Sequence, residues 1–399
     1  MPRARTLLLL TALYVAQGLP NGFFTQALPV LLRERGVSLE AISLSSLLVL
    51  PWTLKVLWAP VVDRTLTPRA WILMMQAATA ALLVGLAALD PATLLAPCLL
   101  VVLLVNTAGA TQDVATDGLA VVLLDDDARG DGNGVQVAGF RVGMILGGGA
   151  LLMASAWVGW GPVVLAMAAL VALTSAPLLA WPEVGRAALP PAKAPHPWAW
   201  LHLPGAGRWS AVLVVWKIGD YLATTMLRPW MVDRGLGADD IGLLLGLGGF
   251  GAGLTGAAMA GPLLRRSPRR DALALFGALQ AAGVAGYAAV VLADTTGAPL
   301  VAAVMFEHLA GGLGTVALFT AMMDASRPES PGTDYTVQAS LVVLSSGIGS
   351  VASGPLAASF GYGPLFVGAA LIALAGPALT LAPGVTDVLT RPARAPEPP

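Results

Sequence analysis

Two carboxylates lie four residues apart inside a long apolar stretch of the chain. The segment TQDVATDGLA (111–120) contains Asp113 and Asp117, and this spacing places both side chains on one face of a helix. Like charges at this distance repel each other, so we expect one carboxyl group to hold a proton, or both to face a cation. With Gln112 beside them, the pattern predicts a helix that borders a water-filled cavity. Asp113, the deeper acid, is the preferred proton carrier, and Asp117 is a second candidate that could also act at a cytoplasmic gate.

Other ionisable residues also interrupt apolar stretches. A charge at the centre of a bilayer costs roughly 2.5 to 17 kcal/mol, so each is a candidate functional group. Lys217 and Asp220 are close enough to pair, whereas Glu307 and His308 are adjacent and should point in different directions. We predict proton coupling for Asp220 and Glu307, and substrate binding for Lys217 and His308. A Lys217–Asp220 pair that only makes membrane insertion tolerable is the alternative.

Arg141 is the cation expected nearest to the two aspartates. Anion recognition or pairing with an aspartate competes with a purely structural ion pair for this residue. Gly139, Gly143 and Gly147 follow one another at four-residue spacing around it. Such a stripe of small residues indicates close helix packing rather than a binding function.

The first apolar stretch carries uncharged polar groups. Gln17 and Asn21 are four residues apart and flank Pro20, which frees a backbone carbonyl within the membrane. We therefore predict that Gln17, Asn21 and Gln112 contact the substrate. Lys55 lies near a cytoplasmic helix end and is expected to extend its ammonium group to the membrane surface.

The elements that must position these residues are membrane-spanning helices. The chain has 399 residues, of which 56% are hydrophobic and 11% charged, with 22 basic and 23 acidic residues, so bulk charge favours no nucleic-acid partner. Stretches of roughly 20 apolar residues recur throughout. They predict twelve helices, at 7–31, 41–61, 70–89, 92–124, 134–158, 160–181, 209–231, 239–263, 271–293, 297–325, 334–358 and 361–383. The first is expected to be an uncleaved helix rather than a signal peptide.

The sequence lacks the motifs of the common alternatives. It contains no Walker loop, no cluster of Cys or His ligands and no Gly-x-Ser-x-Gly motif, and Cys98 is its only cysteine. We therefore expect no cofactor, no metal and no enzymatic activity. Lys and Arg between the spans favour one side strongly, which predicts that both termini are cytoplasmic. Lipid is the expected surrounding, most simply a bacterial inner membrane.

The chain repeats itself at half its length. RGVSLEAI (35–42) returns as RGLGADDI (234–241), which predicts an N-terminal six-helix bundle (1–182), a Pro-rich cytoplasmic linker (183–208) and a C-terminal six-helix bundle (209–399). Two parallel six-helix halves resemble the major facilitator superfamily. That resemblance implies halves that rock about a central site.

A cytoplasmic loop supports the same resemblance. WAPVVDRTLTPR (58–69) is similar to the family's Gly-x-x-x-Asp-Arg gating motif and retains Asp63 and Arg64. The resemblance implies that Asp63 and Arg64 close the cytoplasmic side. An ordinary positively charged loop is the alternative.

Longer segments narrow the resemblance to one branch. LPWTLKVLWAPVVDR (50–64), TQDVATDGLAV (111–121) and WKIGDYLATTMLRPWMVDRG (216–235) resemble the AmpG-like muropeptide permeases, whose relatives include acetyl-CoA transporters and siderophore-import permeases. The branch implies a monomeric secondary transporter that imports an amphiphilic or anionic solute with protons. Proton-antiporting efflux and a non-transporting membrane receptor are the alternatives.

Overall fold

The structure, a computed structural model, describes residues 3–24, 28, 48, 50–91, 93–181, 197–385 and 387–389. All regular secondary structure in these ranges is helical. The helices up to the predicted linker are α1 (Arg3–Gly22), α2 (Leu50–Leu54), α3 (Ala59–Thr65), α4 (Pro68–Ala87), α5 (Leu95–Leu123), α6 (Arg129–Met144), α7 (Leu151–Val158), α8 (Trp160–Leu173) and α9 (Ala176–Ala180). Those after it are α10 (Ala206–Trp216), α11 (Ile218–Asp233), α12 (Ala238–Ile241), α13 (Phe250–Leu264), α14 (Arg269–Leu292), α15 (Ala298–Asp324), α16 (Pro331–Phe360), α17 (Tyr362–Ala373) and α18 (Ala375–Thr380).

Nine stretches in this part of the chain are long and apolar enough to cross a bilayer. They are Pro68–Ala87, Leu95–Leu123, Trp160–Ala180, Ala206–Asp233, Gly242–Leu264, Arg269–Leu292, Ala298–Asp324, Pro331–Phe360 and Tyr362–Thr380. Each overlaps one predicted span. The predicted span 134–158 is not among the nine and corresponds to α6, the π-helical turn Ile145–Ala150 and α7. The predicted spans 7–31 and 41–61 extend over residues outside the described ranges, as do residues 35–42 of the repeat and most of the predicted linker.

The chain divides into two compact units. The first consists of Met1–Asp125, Val135–Pro197 and Arg327–Thr336, and the second of Asp126–Gly134, Trp198–Ser326 and Val337–Pro399. Each unit therefore includes a short segment from the opposite half of the sequence.

Local sequence explains several helix ends. Thr67 caps α4, because its hydroxyl accepts the Ala70 N–H at 3.2 Å and Pro68 occupies the first turn. Gly159 joins α7 to α8 with a φ of 80°, and Gly361 joins α16 to α17 with a φ of 81°. Residues that have a side chain rarely adopt a positive φ. Glycine at these positions therefore allows each pair of helices to meet through a single residue.

Each unit has its own apolar core. In the first unit, Phe23, Val102 and Trp160 belong to one buried cluster, and Trp160 also donates a hydrogen bond to the Leu86 carbonyl at 3.2 Å. In the second unit, Trp230 and Phe366 belong to another. These cores fix the helices that carry the polar groups described next.

Candidate functional site

Asp113 is paired with a lysine from a broken helix. A 3₁₀ turn at Lys55–Leu57 separates α2 from α3, and Pro60 at the start of α3 cannot donate to a preceding turn. The break turns Lys55 inward, where its ammonium group bonds the Asp113 carboxylate and only 5% of the residue is exposed. The expectation that Lys55 extends to the membrane surface is wrong, because the aspartate gives its charge a buried partner.

Asp117 has different neighbours although it lies one turn along the same helix. Tyr14 donates its hydroxyl proton to Oδ1 of Asp117 at 2.9 Å, and Gln136 donates its amide N–H to the same oxygen at 3.3 Å. Asp117 is 2% exposed. Both donors are neutral, so no cation of the described residues bonds this carboxylate. We call Lys55, Asp113, Asp117, Tyr14 and Gln136 the first buried cluster.

Two indole groups of the same broken helix as Lys55 also bond α5. Trp52 donates to the Asn106 side chain at 3.0 Å and Trp58 donates to the Thr111 hydroxyl at 3.1 Å. The Trp52 ring also meets the Phe140 ring edge to face, with centroids 6.3 Å apart. Aromatic and polar groups therefore lie side by side next to the carboxylates.

Two predicted substrate-binding amides are buried with unused hydrogen-bonding capacity. Gln17 and Gln112 are each 3% exposed. No described residue hydrogen-bonds to either amide atom of Gln17, or to Nε2 of Gln112. Buried polar groups are nearly always paired, so these amides are suited to a ligand that enters the site.

Asn21 and Arg141 are half-buried on α1 and α6. The partner that the structure gives Asp113 is Lys55, and the role predicted for Arg141 stays a prediction. The glycine stripe around Arg141 is confirmed as a packing surface. A side chain at Gly143 or Gly147 would collide with the backbone of α1, at the carbonyls of Val15 and Leu19.

The predicted lysine–aspartate pair in the second unit is confirmed. Lys217 Nζ lies 2.9 Å from Asp220 Oδ2, and Gln280 of α14 donates to the same oxygen at 2.7 Å. Lys217 stands at the break between α10 and α11, where its backbone N–H donates to the Ser345 hydroxyl at 2.9 Å. The ammonium group at this break and the carboxylate in the first turn of α11 therefore contact each other directly.

Glu307 and His308 meet at one tyrosine despite being adjacent. The Tyr287 hydroxyl donates to Oε2 of Glu307 at 3.0 Å and lies 3.4 Å from Nδ1 of His308, and that nitrogen is 3.1 Å from the same Oε2. Glu307 is buried, whereas the His308 side chain is 23% exposed. We call Lys217, Asp220, Gln280, Tyr287, Glu307 and His308 the second buried cluster.

Asp63, predicted to act in gating, accepts a backbone hydrogen bond at a helix start. Its Oδ2 receives the Thr333 N–H at 2.6 Å, in the first turn of α16 and within the first unit. First-turn N–H groups have no partner inside their own helix, and the helix dipole favours an anion there. Burial raises the pKa of the Asp63 carboxyl above its usual range, although the hydrogen bond opposes this. Arg64, the next residue of α3, is exposed.

The basic segment RRSPRR (265–270), which connects α13 to α14, also contacts acidic residues. Asp324 accepts hydrogen bonds from Arg129 at 2.7 Å and from Arg269 at 2.8 Å, and Arg265 pairs with Asp131. All of these residues belong to the second unit. Sequence reasoning missed the pairs because the acids lie far along the chain from the basic segment.

Sequence reasoning also missed several members of the two clusters. Tyr14, Gln136, Gln280 and Tyr287 are uncharged, so the pattern of intramembrane charges did not point to them. The available signal was a hydrogen-bonding side chain within an apolar span. No group of residues that could hold a metal ion occurs in the described ranges.

Comparisons with known proteins agree with this picture. Residues 10–350 match the family model described as Major Facilitator Superfamily. The anhydromuropeptide permease of Escherichia coli K12 is 30% identical over 379 residues, which are 90% of this chain and 74% of that protein.

Solved structures support the same fold. The human organic anion transporter MFSD10 (TETRAN) aligns with a TM-score of 0.73 at 16% identity, covering 95% of this chain and 100% of that one. The Escherichia coli fucose:proton symporter FucP aligns with a TM-score of 0.69 at 15% identity, covering 94% and 96%.

Proposed function

Because this chain belongs to the Major Facilitator Superfamily and is a multi-pass membrane transporter, we propose that it imports an anhydromuropeptide-like solute together with protons. The relative that is 30% identical over 90% of this chain is named a permease for that cargo. A siderophore or an acyl-CoA-like solute is the alternative cargo. In each case the solute is amphiphilic or anionic.

One observation carries the proton-coupling part of the proposal. Asp117 is buried among neutral hydrogen-bond donors, while its neighbour Asp113 already has a lysine. Ionisation of a buried carboxyl group without a bonded cation is unfavourable. Access of water to the group lowers the free energy of this ionisation. Asp117 therefore exchanges a proton when access to the site changes, and it takes precedence over Asp113 as the carrier.

The cargo-binding part rests on the unused amides of Gln17 and Gln112. An amide offers both donors and acceptors, which suits the hydroxyl, amide and carboxylate groups of a muropeptide. The indole of Trp52, which bonds Asn106 on the same helix as Gln112, would provide an apolar surface for the less polar parts of such a molecule. Asn21 and Arg141 remain proposed contacts, and Arg141 would bind an anionic group of the cargo.

The remaining parts of the proposal concern the whole chain. We expect twelve helices in two six-helix halves, at 1–182 and 209–399, that alternate access by a rocker-switch motion. Asp63 and Arg64 would act at the cytoplasmic gate. The protein would function as a monomer in an inner membrane with both termini in the cytoplasm.

Proton-driven uptake into proteoliposomes tests the proposal. With the membrane potential clamped, a tenfold inward proton gradient should drive accumulation of labelled anhydromuropeptide by the wild type. Asp117→Asn should lower this accumulation at least tenfold, whereas Asp233→Asn, a carboxylate hydrogen-bonded to Tyr362 outside both clusters, should match the wild type.

Three other outcomes would contradict the proposal in different ways. Proton-driven loss of preloaded cargo would identify an antiporting efflux protein. Accumulation of a siderophore or an acyl-CoA in place of the muropeptide would retain the mechanism and change the cargo. Binding without movement in either direction, unaffected by Asp117→Asn, would identify a receptor.

A further inference from the structure

Both units contain a buried cluster with the same balance of charge. The first buried cluster has one ammonium group, on Lys55, and two carboxylates, on Asp113 and Asp117. The second has one ammonium group, on Lys217, and two carboxylates, on Asp220 and Glu307. With every group ionised and His308 neutral, each cluster carries one uncompensated negative charge.

Each lysine is already assigned to one carboxylate by direct contact. Lys55 bonds Asp113, and Lys217 bonds Asp220. The uncompensated charge therefore falls on Asp117 in the first unit and on Glu307 in the second. Burial of an unpaired charge costs several kcal/mol, which binding of one proton removes.

The second site has a chemical feature that the first lacks. Nδ1 of His308 lies 3.0 Å from the Val304 carbonyl, which can only accept a hydrogen bond. Nδ1 therefore carries a hydrogen, and the proton that charges the ring binds at Nε2. The resulting imidazolium would face the Glu307 carboxylate at 3.1 Å, so the pair holds one extra proton as a neutral unit.

His308 is the more exposed member of the pair. Its side chain is 23% exposed while Glu307 is buried. The ring lies against Gly249, the last residue of a π-helical turn at Gly242–Gly249, where an added Cβ would fall 2.7 Å from Nε2. The absence of a side chain at Gly249 therefore leaves room for the His308 ring beside this π-helical turn.

We infer that the transporter carries two protons per cycle, one on Asp117 in the first unit and one on the Glu307–His308 pair in the second. This inference rests on the proposed proton-coupled import, and it moves His308 from substrate binding to proton binding. With two protons carried per cargo molecule, the limiting ratio of cargo concentrations across the membrane equals the square of the ratio of proton concentrations.

Neighbouring ionisable groups enter the charge balance of each site. Asp117 is faced by Tyr14 from α1, Lys55 from the 3₁₀ turn, Asp113 from its own helix and Tyr335 from the start of α16. The Glu307–His308 pair is faced by Tyr287 from α14, and by Lys217 and Asp220 from the α10–α11 break. The tyrosines are neutral at physiological pH, so they leave each balance unchanged.

Spectroscopic titration of the purified protein tests the two sites without any cargo. Infrared difference spectra should show one protonated-carboxyl band that titrates and disappears in Asp117→Asn. The His308 ring resonance, assigned by its loss in His308→Gln, should change when the Glu307–His308 pair takes up its proton. Each variant should retain the signal of the other site, and Asp233→Asn should retain both.

Two results would overturn the inference. One is a carboxyl band or a ring resonance that does not titrate in the folded protein, and the other is loss of both signals in a single variant. Glu307→Gln provides a second check, since removal of the carboxylate should abolish the change in the ring resonance while the Asp117 band persists.

Transport then measures the stoichiometry. A tenfold proton gradient should support up to a hundredfold cargo accumulation in the wild type and up to tenfold in Asp117→Asn or His308→Gln. The double variant should only equilibrate the cargo. Failure of the wild type to accumulate muropeptide would reject the proposed function, and the titration would still decide whether two proton sites exist.

Discussion

Removal of either aspartate of α5 has a different effect on the buried groups around it. Asp113 is bonded to Lys55, so its loss leaves a buried ammonium group without a partner, whereas Asp117 is bonded to neutral groups. Breaking one side of a buried ion pair is far more damaging than replacing both sides. A loss of transport would therefore have a different cause in each variant. In Asp113→Asn it would follow from the unpaired Lys55, and in Asp117→Asn from the missing carboxylate itself.

We predict that Asp113→Asn destabilises the protein and that a second substitution restores it. Asp113→Asn should cost about 3 to 5 kcal/mol of folding free energy, measured by thermal unfolding in detergent. Adding Lys55→Met should recover most of this loss. Equal stability of Asp113→Asn and Asp117→Asn would contradict the assignment of the lysine to Asp113.

Gln17 provides a prediction about affinity. Gln17→Leu should raise the KM for cargo about tenfold, the equivalent of one or two lost hydrogen bonds, with little change in thermal stability. The matched control is Gln338→Leu, because Gln338 bonds Trp209, Ser326 and the Met322 carbonyl. That control should lower the unfolding temperature and leave KM unchanged, and the reverse pattern would argue against cargo binding at Gln17.

Intramembrane charge predicted the acids of both clusters, but their hydrogen-bond partners became visible only in the structure. The Lys217–Asp220 pair was readable because the two residues are three positions apart within one predicted span. The partners of Asp117 could not be predicted in this way. Tyr14 lies 103 residues away, and periodicity carries no information about contacts between helices. Lys55 was misjudged because the helix break that turns it inward depends on a proline five residues later.

At the scale of helices, close approach depends on particular glycines. Gly349 of α16 packs against α11, and an added Cβ would meet the Ile218 carbonyl oxygen and the Tyr221 Cβ. Gly347 lies on the same helix with nothing within 4 Å of that position. The same substitution should therefore have opposite effects at the two positions.

We predict that Gly349→Ala costs about 1 to 3 kcal/mol through overpacking. Gly347→Ala should instead stabilise the helix by up to about 1 kcal/mol, because alanine is the better helix former. Unfolding temperatures of the two variants in the same detergent make the comparison. Similar destabilisation by both would mean that glycine is needed along α16 for a reason other than the contact with α11.

The α16–α17 pair also shows what the sequence could and could not specify. The predicted spans 334–358 and 361–383 anticipated both helices and the short connection between them. They placed the start of α16 three residues late, because Pro331 and polar residues precede the apolar stretch. The hydrogen bond from Thr333 to Asp63 lies in that first turn, so hydropathy alone could not reveal it.

For the whole molecule, the uneven distribution of Lys and Arg predicts a definite orientation. Alkaline phosphatase fused after Gly159 or Gly361 should be active, because both connections are expected outside the cytoplasm. The same enzyme fused after Pro268, between α13 and α14, should be inactive, whereas green fluorescent protein there should fluoresce. Active phosphatase at Pro268 would invert the proposed topology and the side from which protons enter.

The one-residue connections at Gly159 and Gly361 have a consequence for proteolysis. A protease needs an extended segment to fit its cleft, and loop tips are the usual sites of nicking. A helix pair joined by a single glycine offers no such segment unless the ends of both helices unwind first. The chain should therefore resist cleavage at these two positions even when the enzyme has full access to that side of the membrane.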